Sequence, residues 1–518
     1  MTADTRARLL LAAIVAASVA IRIPGLLHDG LWRDEAYVYV DVIAPTFREF
    51  FHRLIETEYH PPLYFLLSYV WLHLAGTSEL ALKALPFLCS ILTVPVVYRL
   101  GTTAGSRAVG LLAAAMYGVS PLAILEAGDY LYPLMTLLCT LLAGLVMAGR
   151  REALRPGRLV AVGVVTALAM YTHYAALFYV PMLVAWALTS PRGVRHGATL
   201  AAALLLGALP FLLWLPAFFS QSNPYLLKPA ANPGTPLLIP PPNATAKLGF
   251  FAWTIVQSMP LWPEKLAIVL IALLLVALVM LLASRMFSAD AMAMGSMYVL
   301  GLAVISAGGR LNVRYIAPFQ GLLCVFLAWV VVAWFERFAH GLRPRPRRWA
   351  AAATATLGLF VLAEDTIFAA HTARLPKSGI RTFVASQPLD PASLYVIVPD
   401  YMTATFVFYA RDPGVAYTAF AQVDHPEIFR YGEDASHYGP GAVRAAVVRL
   451  NGMARRYRYL DFIVEDSADK QKTLGGILYR TPARRLLDSI ESRYTLVARA
   501  HYPGRLESVT VYRFRTEK

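Results

Sequence analysis

The chain has 518 residues, of which 58% are hydrophobic and only 15% charged, and its formal net charge is +15. Soluble domains sit near about 45–50% apolar and about 25% charged, so an ordinary water-soluble fold is excluded and a lipid environment is implied. Much of the basic excess lies in short loops between apolar runs, such as GRREALRPGR (149–158) and RPRPRR (343–348); this is the positive-inside signal, and it removes the case for nucleic acid.

In chain order, RARLLLAAIVAASVA resembles a signal peptide with a small-residue end. Because many apolar runs follow, it reads as an uncleaved first span over 7–26. About ten more spans are expected near 80–99, 107–125, 130–149, 158–172, 175–189, 197–217, 265–284, 291–308, 318–336 and 349–369, each near the length a roughly 30 Å hydrocarbon core requires. With the N-terminus inside, the basic loops near Arg99/Arg107, Arg150–Arg158, Arg192/Arg195, Arg285 and Arg343–Arg348 all fall in the cytoplasm. The assignment holds only if PPLYFLLSYVWLHLA (61–75), which is short, opens on two prolines and contains His73, lies in the membrane plane. The amphipathic TFREFFHRLI (46–55) joins it there, so the outer loop 27–79 carries in-plane helices.

The outer face then also holds LEAGDY (125–130), a Pro/Asn-rich loop (220–264) and GGRLNVRY (308–315). Two domains are expected: a transmembrane domain over 1–371 and an extracytoplasmic α/β domain over 372–518, with strands at SLYVIVPD (393–400), YLDFIVED (459–466) and ESVTVYRF (507–514). There is no P-loop, no GxGxxG after a strand and no internal repeat, so nucleotide binding has no support. Cys89, Cys139 and Cys324 lie inside apolar runs and read as small core residues. NAT at Asn243 matches a glycosylation acceptor, a short pattern.

Ionisable residues gather on the outward loops. Asp34 and Glu35 follow the first span, Glu58 and His60 precede PPLYF, Glu126 and Asp129 follow the third, His173 interrupts MYTHYAALFY, and Arg310 and Arg314 end the ninth. Each has a plainer reading: a solvated turn for Asp34/Glu35, helix capping for Glu126/Asp129, a hydrogen-bonded core histidine for His173, interfacial anchoring for the arginines. Together they suit a sharper one. A carboxylate at the membrane face can take a proton from an acceptor hydroxyl, and arginines at the same level can hold a phosphate bidentately. Trp32 and the tyrosines of LWRDEAYVYV (31–40) are expected to hold that loop at the interface.

The ordered blocks LWRDEAY, YHPPLYFLLSYVWLHLAGTSELALKALPFLCSILTVPVVYRLG, LEAGDYLYPL, YTHYAALF and RYIAPF resemble the C-type membrane glycosyltransferases, specifically the bacterial protein-O-mannosyltransferase-like group that includes the aminoarabinose transferase acting on lipid A. The resemblance covers roughly residues 7–335. It implies a polytopic α-helical fold of about eleven transmembrane helices. It also implies an inverting transfer of a sugar from a polyprenyl-phosphate donor to an envelope acceptor: lipid A or lipopolysaccharide, a polysaccharide, a lipid or a protein. The reaction would face the periplasm or cell exterior from a bacterial cytoplasmic membrane. The family's first-loop acid falls on Asp34, with Glu35 beside it; its second-loop acid falls on Glu126 or Asp129. Relatives often read EAR there where this chain has EAGDY, and under the resemblance the phosphate contact is expected at Arg314, with Arg310. His60, where some relatives have lysine, is expected in the substrate pocket with Tyr171, His173 and Tyr315. No cofactor is specified by spacing, although a divalent metal on His60, His173 and nearby acids is considered. The competing reading is a transporter or flippase for a polyprenyl-linked lipid; no duplicated hydropathy pattern favours it.

Overall fold

The computed structural model describes residues 2–58, 60–222, 243–259, 264–286, 288–308, 312–339, 360–361, 363–420, 440–466 and 474–516. Among the described residues the membrane part is built mainly of helices. They are α1 (Ala3–His28), α2 (Arg33–Val42), α3 (Phe47–Thr57), α4 (Leu63–Ala75), α5 (Glu79–Ala104), α6 (Arg107–Val119), α7 (Pro121–Leu125), α8 (Tyr132–Arg151), α9 (Pro156–Met170), α10 (Ala176–Leu188), α11 (Val194–Ala208), α12 (Leu215–Ser222), α13 (Ala244–Gln257), α14 (Glu264–Ala283), α15 (Ala289–Ala307) and α16 (Ala317–Trp334).

Among the described residues seven segments are long and apolar enough to span a bilayer, so this is a multi-pass membrane protein. The expected spans at 107–125, 158–172 and 175–189 fold as shorter apolar helices, α6, α9 and α10. The first of these ends where Ser120–Pro121 restarts the chain as α7. The span expected at 349–369 lies largely outside the described residues, as does much of the loop 220–264. The segment Val313–Arg337 has 83% of its apolar window buried, and Lys265–Ala283 only 17%, so α16 is central and α14 faces lipid. Close approach tightens the centre: a Cβ on Gly110 of α6 would sit 2.5 Å from the Tyr98 carbonyl of α5. Asn243, the candidate glycosylation acceptor, caps α13 by accepting from Ala246 N at 2.8 Å.

Helices α2, α3 and α4 have 10, 11 and 13 residues. At about 1.5 Å per residue none crosses a hydrocarbon core, consistent with the in-plane arrangement. Thr46 caps α3 through Glu49 N, and Arg53 of α3 donates to the Val40 carbonyl at 3.1 Å, tying α3 to α2.

The C-terminal region holds a five-stranded mixed sheet in the order β2-β1-β3-β5-β4. Its strands are β1 (Ser393–Val398), β2 (Ala416–Ala419), β3 (Tyr459–Glu465), β4 (Thr495–Tyr502) and β5 (Val509–Arg515). β1 runs parallel to β2 and β3, while β5 is antiparallel to both β3 and β4. The two-residue period splits β1 between two cores. Leu394, Val396 and Val398 meet the outer helices Pro440–Ala454 and Leu474–Glu491 through residues such as Leu450 and Leu486. Tyr395 and Ile397 face the opposite way and join one continuous apolar core with Phe406 and Phe408, and so with α2 and the membrane helices. β1, β3 and β5 stand where strands were expected; β2 and β4 were not anticipated.

This packing puts the sheet region directly on the loop around residue 30. Arg505 pairs with Asp29 at 2.7 Å, Arg381 donates to the His28 carbonyl at 2.7 Å, and Arg411 donates to the Thr77 carbonyl at 2.5 Å. Tyr409 accepts from Leu31 N at 2.6 Å and donates to Glu79 at 3.2 Å. Gly30 sits at φ +71°, where a Cβ would lie 2.9 Å from Arg381 Cδ, so glycine is required by both conformation and space.

Candidate active site

Arg314 is the hub of the end of the bundle where α2 meets the turn before α8. It lies in a 3-10 turn (Val313–Ile316) whose Asn312 side chain accepts from Arg314 N at 3.1 Å. Its Nη2 reaches Asp34 Oδ2 at 3.2 Å and its Nη1 reaches Asp129 Oδ2 at 3.2 Å. The guanidinium also lies over the rings of Trp32 (4.7 Å) and Tyr132 (5.2 Å), which shield it and add cation–π attraction. Asp34 opens α2 and has a second cation in Arg33, 3.3 Å away. Arg33 in turn lies over the Tyr401 ring at 4.6 Å.

Asp129 sits in the turn between α7 and α8, and neither it nor Glu126 caps α8, which Leu131 flanks without a side-chain bond. Trp32 Nε1 donates to Asp129 Oδ1 at 3.4 Å, and Lys377 Nζ stands 4.0 Å from the same oxygen. Burial works against this carboxylate's charge, but Lys377 and Arg314 more than offset it and hold its pKa below the usual carboxylate range.

Glu35 faces the other side of α2. One oxygen accepts from Trp32 N at 3.0 Å, closing the first turn, and the other pairs with Lys377 Nζ at 2.5 Å. Burial pushes its carboxyl up to about 7, against the pull of Lys377. Glu126 is buried with Oε2 unbonded among the described residues, and lines a cavity of ≈ 10 Å³ with Ser90, Thr136 and Gln320. Burial, then the neighbouring Asp129 charge, raises its pKa well above the ordinary value, favouring the protonated carboxyl.

A wall of rings completes the site. His60 and His173 lie 5.1 Å apart, and Tyr132 and Tyr315 lie 5.7 and 5.9 Å from His173. Tyr130 donates to Glu58 at 2.8 Å and lies 3.5 Å from His60 Nδ1. His173 Nδ1 accepts from Ala175 N at 2.9 Å, so this histidine also orders the turn before α10.

The structure thus brings Asp34, Glu35, Glu126, Asp129, His60, His173, Arg314 and Tyr315 to one end of the bundle. Tyr171 departs from this group: its hydroxyl donates to the Pro210 carbonyl at 2.7 Å and its ring meets Phe211. As the residue that follows α9, it points across to the 3-10 segment Leu209–Trp214. Arg310 lies outside the described residues. Among the described residues no group of three His, Cys, Asp or Glu could hold a metal ion, so the considered metal site is not assembled there. Trp32 and Tyr37 do not lie at a lipid interface. Both are buried, Trp32 against Arg314 and Asp129, Tyr37 donating to the Tyr401 carbonyl at 3.1 Å. Sequence reasoning missed Lys377, Tyr130 and Tyr132; the two tyrosines stood within LEAGDYLYPL, whereas nothing around Lys377 marked it.

A family model described as dolichyl-phosphate-mannose-protein mannosyltransferase matches residues 59–217, a stretch that begins after LWRDEAY. No curated protein matches the chain. Among solved structures it is similar to ArnT from Cupriavidus metallidurans in the apo state, with TM-score 0.60 and 13% identity over 99% of this chain and 98% of that one. The same ArnT bound to undecaprenyl phosphate gives 0.58 and 14%, over 99% and 98%. The archaeal oligosaccharyltransferase AglB from Archaeoglobus fulgidus, in complex with an inhibitory peptide and a dolichol-phosphate, gives 0.52 and 11%, over 98% of this chain and 74% of that one. The chain therefore has the fold of ArnT, shared more distantly with the archaeal oligosaccharyltransferase, in agreement with the fold that the ordered blocks implied. Within that fold, the likeness to ArnT extends over nearly the whole of both chains.

Proposed function

We propose that this chain is an inverting glycosyltransferase that moves a sugar from a polyprenyl-phosphate donor to a hydroxyl of an envelope acceptor. The acceptor classes remain lipid A or lipopolysaccharide, a polysaccharide, a lipid, or a protein. The observation that carries the reading is Arg314 held between Asp34 and Asp129 beside apolar helices. A phosphate offers a guanidinium the same paired oxygens as a carboxylate, so the donor phosphate can take over those contacts. The ligands of the similar structures, undecaprenyl phosphate on ArnT and dolichol-phosphate on AglB, support that choice of donor.

In this reading Asp34 accepts the proton as the acceptor oxygen forms its bond to the anomeric carbon. The bond from that carbon to the phosphate oxygen breaks, its electron pair stays on the polyprenyl phosphate, and Arg314 stabilises the growing charge. Asp129 and Glu126 orient substrate and hub, Glu35 supports the loop, and His60, His173, Tyr132 and Tyr315 line the sugar's side. The protein is a bacterial cytoplasmic-membrane enzyme with its site outward. Residues 1–371 form the transferase domain and 372–518 an extracytoplasmic domain seated on it. The basic loops at the opposite ends of the helices support that orientation.

The test is Asp34→Asn in a deletion strain, read by lipid and glycan analysis of the envelope. Wild type removes an accumulated polyprenyl-phosphate sugar and restores a missing decoration; the variant loses about 10²–10⁴-fold of that rate yet binds undecaprenyl phosphate normally. Wild-type turnover by the variant would take the base role from Asp34.

A further inference from the structure

We propose that Lys377, supplied by the segment leading into the C-terminal sheet, is a positioning residue of the active centre, neutralising Glu35 and holding Asp129 toward Arg314. The inference rests on the polyprenyl-phosphate reading above and adds a residue from outside the membrane domain. Lys377 is 2% exposed, although lysine is almost never buried without a reason. Its backbone is pinned from both sides: its N–H donates to the Asp29 carbonyl at 2.5 Å, and its carbonyl accepts from Leu506 and Glu507 N, each at 2.9 Å. The side chain is therefore delivered by the sheet region into the loop that carries Asp34.

Its ammonium has two carboxylate neighbours with separate meanings. Glu35 Oε1 is bonded at 2.5 Å, while Asp129 Oδ1 stands at 4.0 Å beside the Trp32 indole N–H. Asp129 thus keeps Oδ1 on Lys377 and Trp32 and turns Oδ2 to Arg314. When a phosphate claims Arg314, Asp129 is still charged and still held. The groups facing Asp129 are Asp34 and Glu35 from α2, Glu126 from its own turn, Arg314 before α16, Lys83 of α5 beside Gly128, and Lys377. Without the lysine the excess of carboxyl groups over cations around the incoming anion would grow, and phosphate affinity would fall.

The experiment uses the full chain in detergent, with undecaprenyl phosphate as the probe. Lys377→Met is expected to weaken binding by about tenfold, and adding Glu35→Gln, which keeps the acceptor for Trp32 N but removes the charge, restores most of it. A lysine that merely fills space would not be rescued by neutralising its partner. Equal binding by Lys377→Met and wild type, or no recovery in a folded double variant, overturns the assignment.

A second arm needs no ligand. In the Glu35→Gln background, melting temperature is followed from about pH 7 to about pH 2. Asp129 has a lowered pKa when folded, so its contribution is present above the unfolded carboxylate value and lost as pH falls through the folded one. Adding Lys377→Met moves that loss to higher pH, and an unmoved acid limb overturns the proposal. If wild type fails to bind undecaprenyl phosphate, the donor reading falls, and the acid limb alone decides the role of Lys377.

Discussion

The two ends of α8 carry opposite solutions to the same problem of a charge at the edge of a bilayer. At the Arg151 end a single carboxylate, Asp290, is served by two arginines. Arg150 reaches its Oδ1 at 3.0 Å, Arg151 reaches Oδ2 at 2.9 Å, and Trp186 Nε1 adds 3.2 Å to Oδ1. Arg150 is further bonded to Thr189 Oγ1 at 3.0 Å and to the Trp186 carbonyl. Every group is committed, and the cluster joins α8, α10 and α15 as a clamp. At the Tyr132 end the stoichiometry is inverted: one arginine, Arg314, is shared by Asp34 and Asp129, and each acid has another cation near it. A carboxylate hub saturated with cations has nothing to offer a ligand. A cationic hub shared between acids that have other partners can exchange one anion for another.

Removing each hub breaks or upholds that contrast, and the effects should be large and different. Asp290→Ala strands two arginines, one of them buried, and should cost about 3–5 kcal/mol, read as a lowered melting temperature with undecaprenyl phosphate affinity unchanged in the folded fraction. Arg314→Ala leaves Asp34 with Arg33 and Asp129 with Lys377 and Trp32, so its stability loss should be the smaller of the two. Its phosphate affinity should drop about a hundredfold, the worth of two charge-assisted hydrogen bonds. If both variants lose stability equally and Arg314→Ala still binds the lipid phosphate, the Arg314 cluster is a second clamp and the contrast collapses.

Gly30→Ala probes how the sheet region holds the Arg314 cluster in place. The left-handed backbone costs an L-residue about 1–2 kcal/mol, and the added methyl would meet Arg381 and Tyr409, which anchor His28 and Leu31. Turnover should fall about tenfold, more than a modest loss in melting temperature would explain, because Asp34 lies a few residues downstream and near-attack geometry is sensitive to small displacements. A variant with normal turnover would mean that the loop's position is set by α2 alone.

Much of this site was legible because its residues sit in loops where an apolar protein has no other use for charge. Asp34, Asp129 and Arg314 are costly at a membrane face, and a positive-inside count alone places them on one side. The rest depended on tertiary contact. Lys377 lies in an unremarkable LPKSGI stretch, and its partner Glu35 is 342 residues away, a pairing no local period encodes. Tyr171 and His173 sit two apart in one motif, yet a turn after α9 sends the first to Pro210 and the second to the site. Trp32 read as a belt residue because aromatic belts are common; burial against Arg314 made it part of the hub. β2 is only four residues, and β4 is largely exposed, so neither shows the alternation that marks a half-buried strand.

The smallest effect should come from Glu126, and its smallness is the informative part. Burial and Asp129 push this carboxyl well above its ordinary pKa and favour its protonated form, which the glutamine of Glu126→Gln copies in shape and lack of charge. Turnover should stay within about twofold and stability within about 0.5 kcal/mol of wild type at neutral pH. The two proteins should separate only as pH rises. A raised folded pKa contributes stability that is complete at low pH and is lost as pH climbs through that value, so wild type weakens in alkaline solution while the glutamine variant, with nothing to ionise there, does not. A hundredfold loss of turnover at pH 7 would instead mean that Glu126 works as an anion, and would move the second-loop role from Asp129 to it.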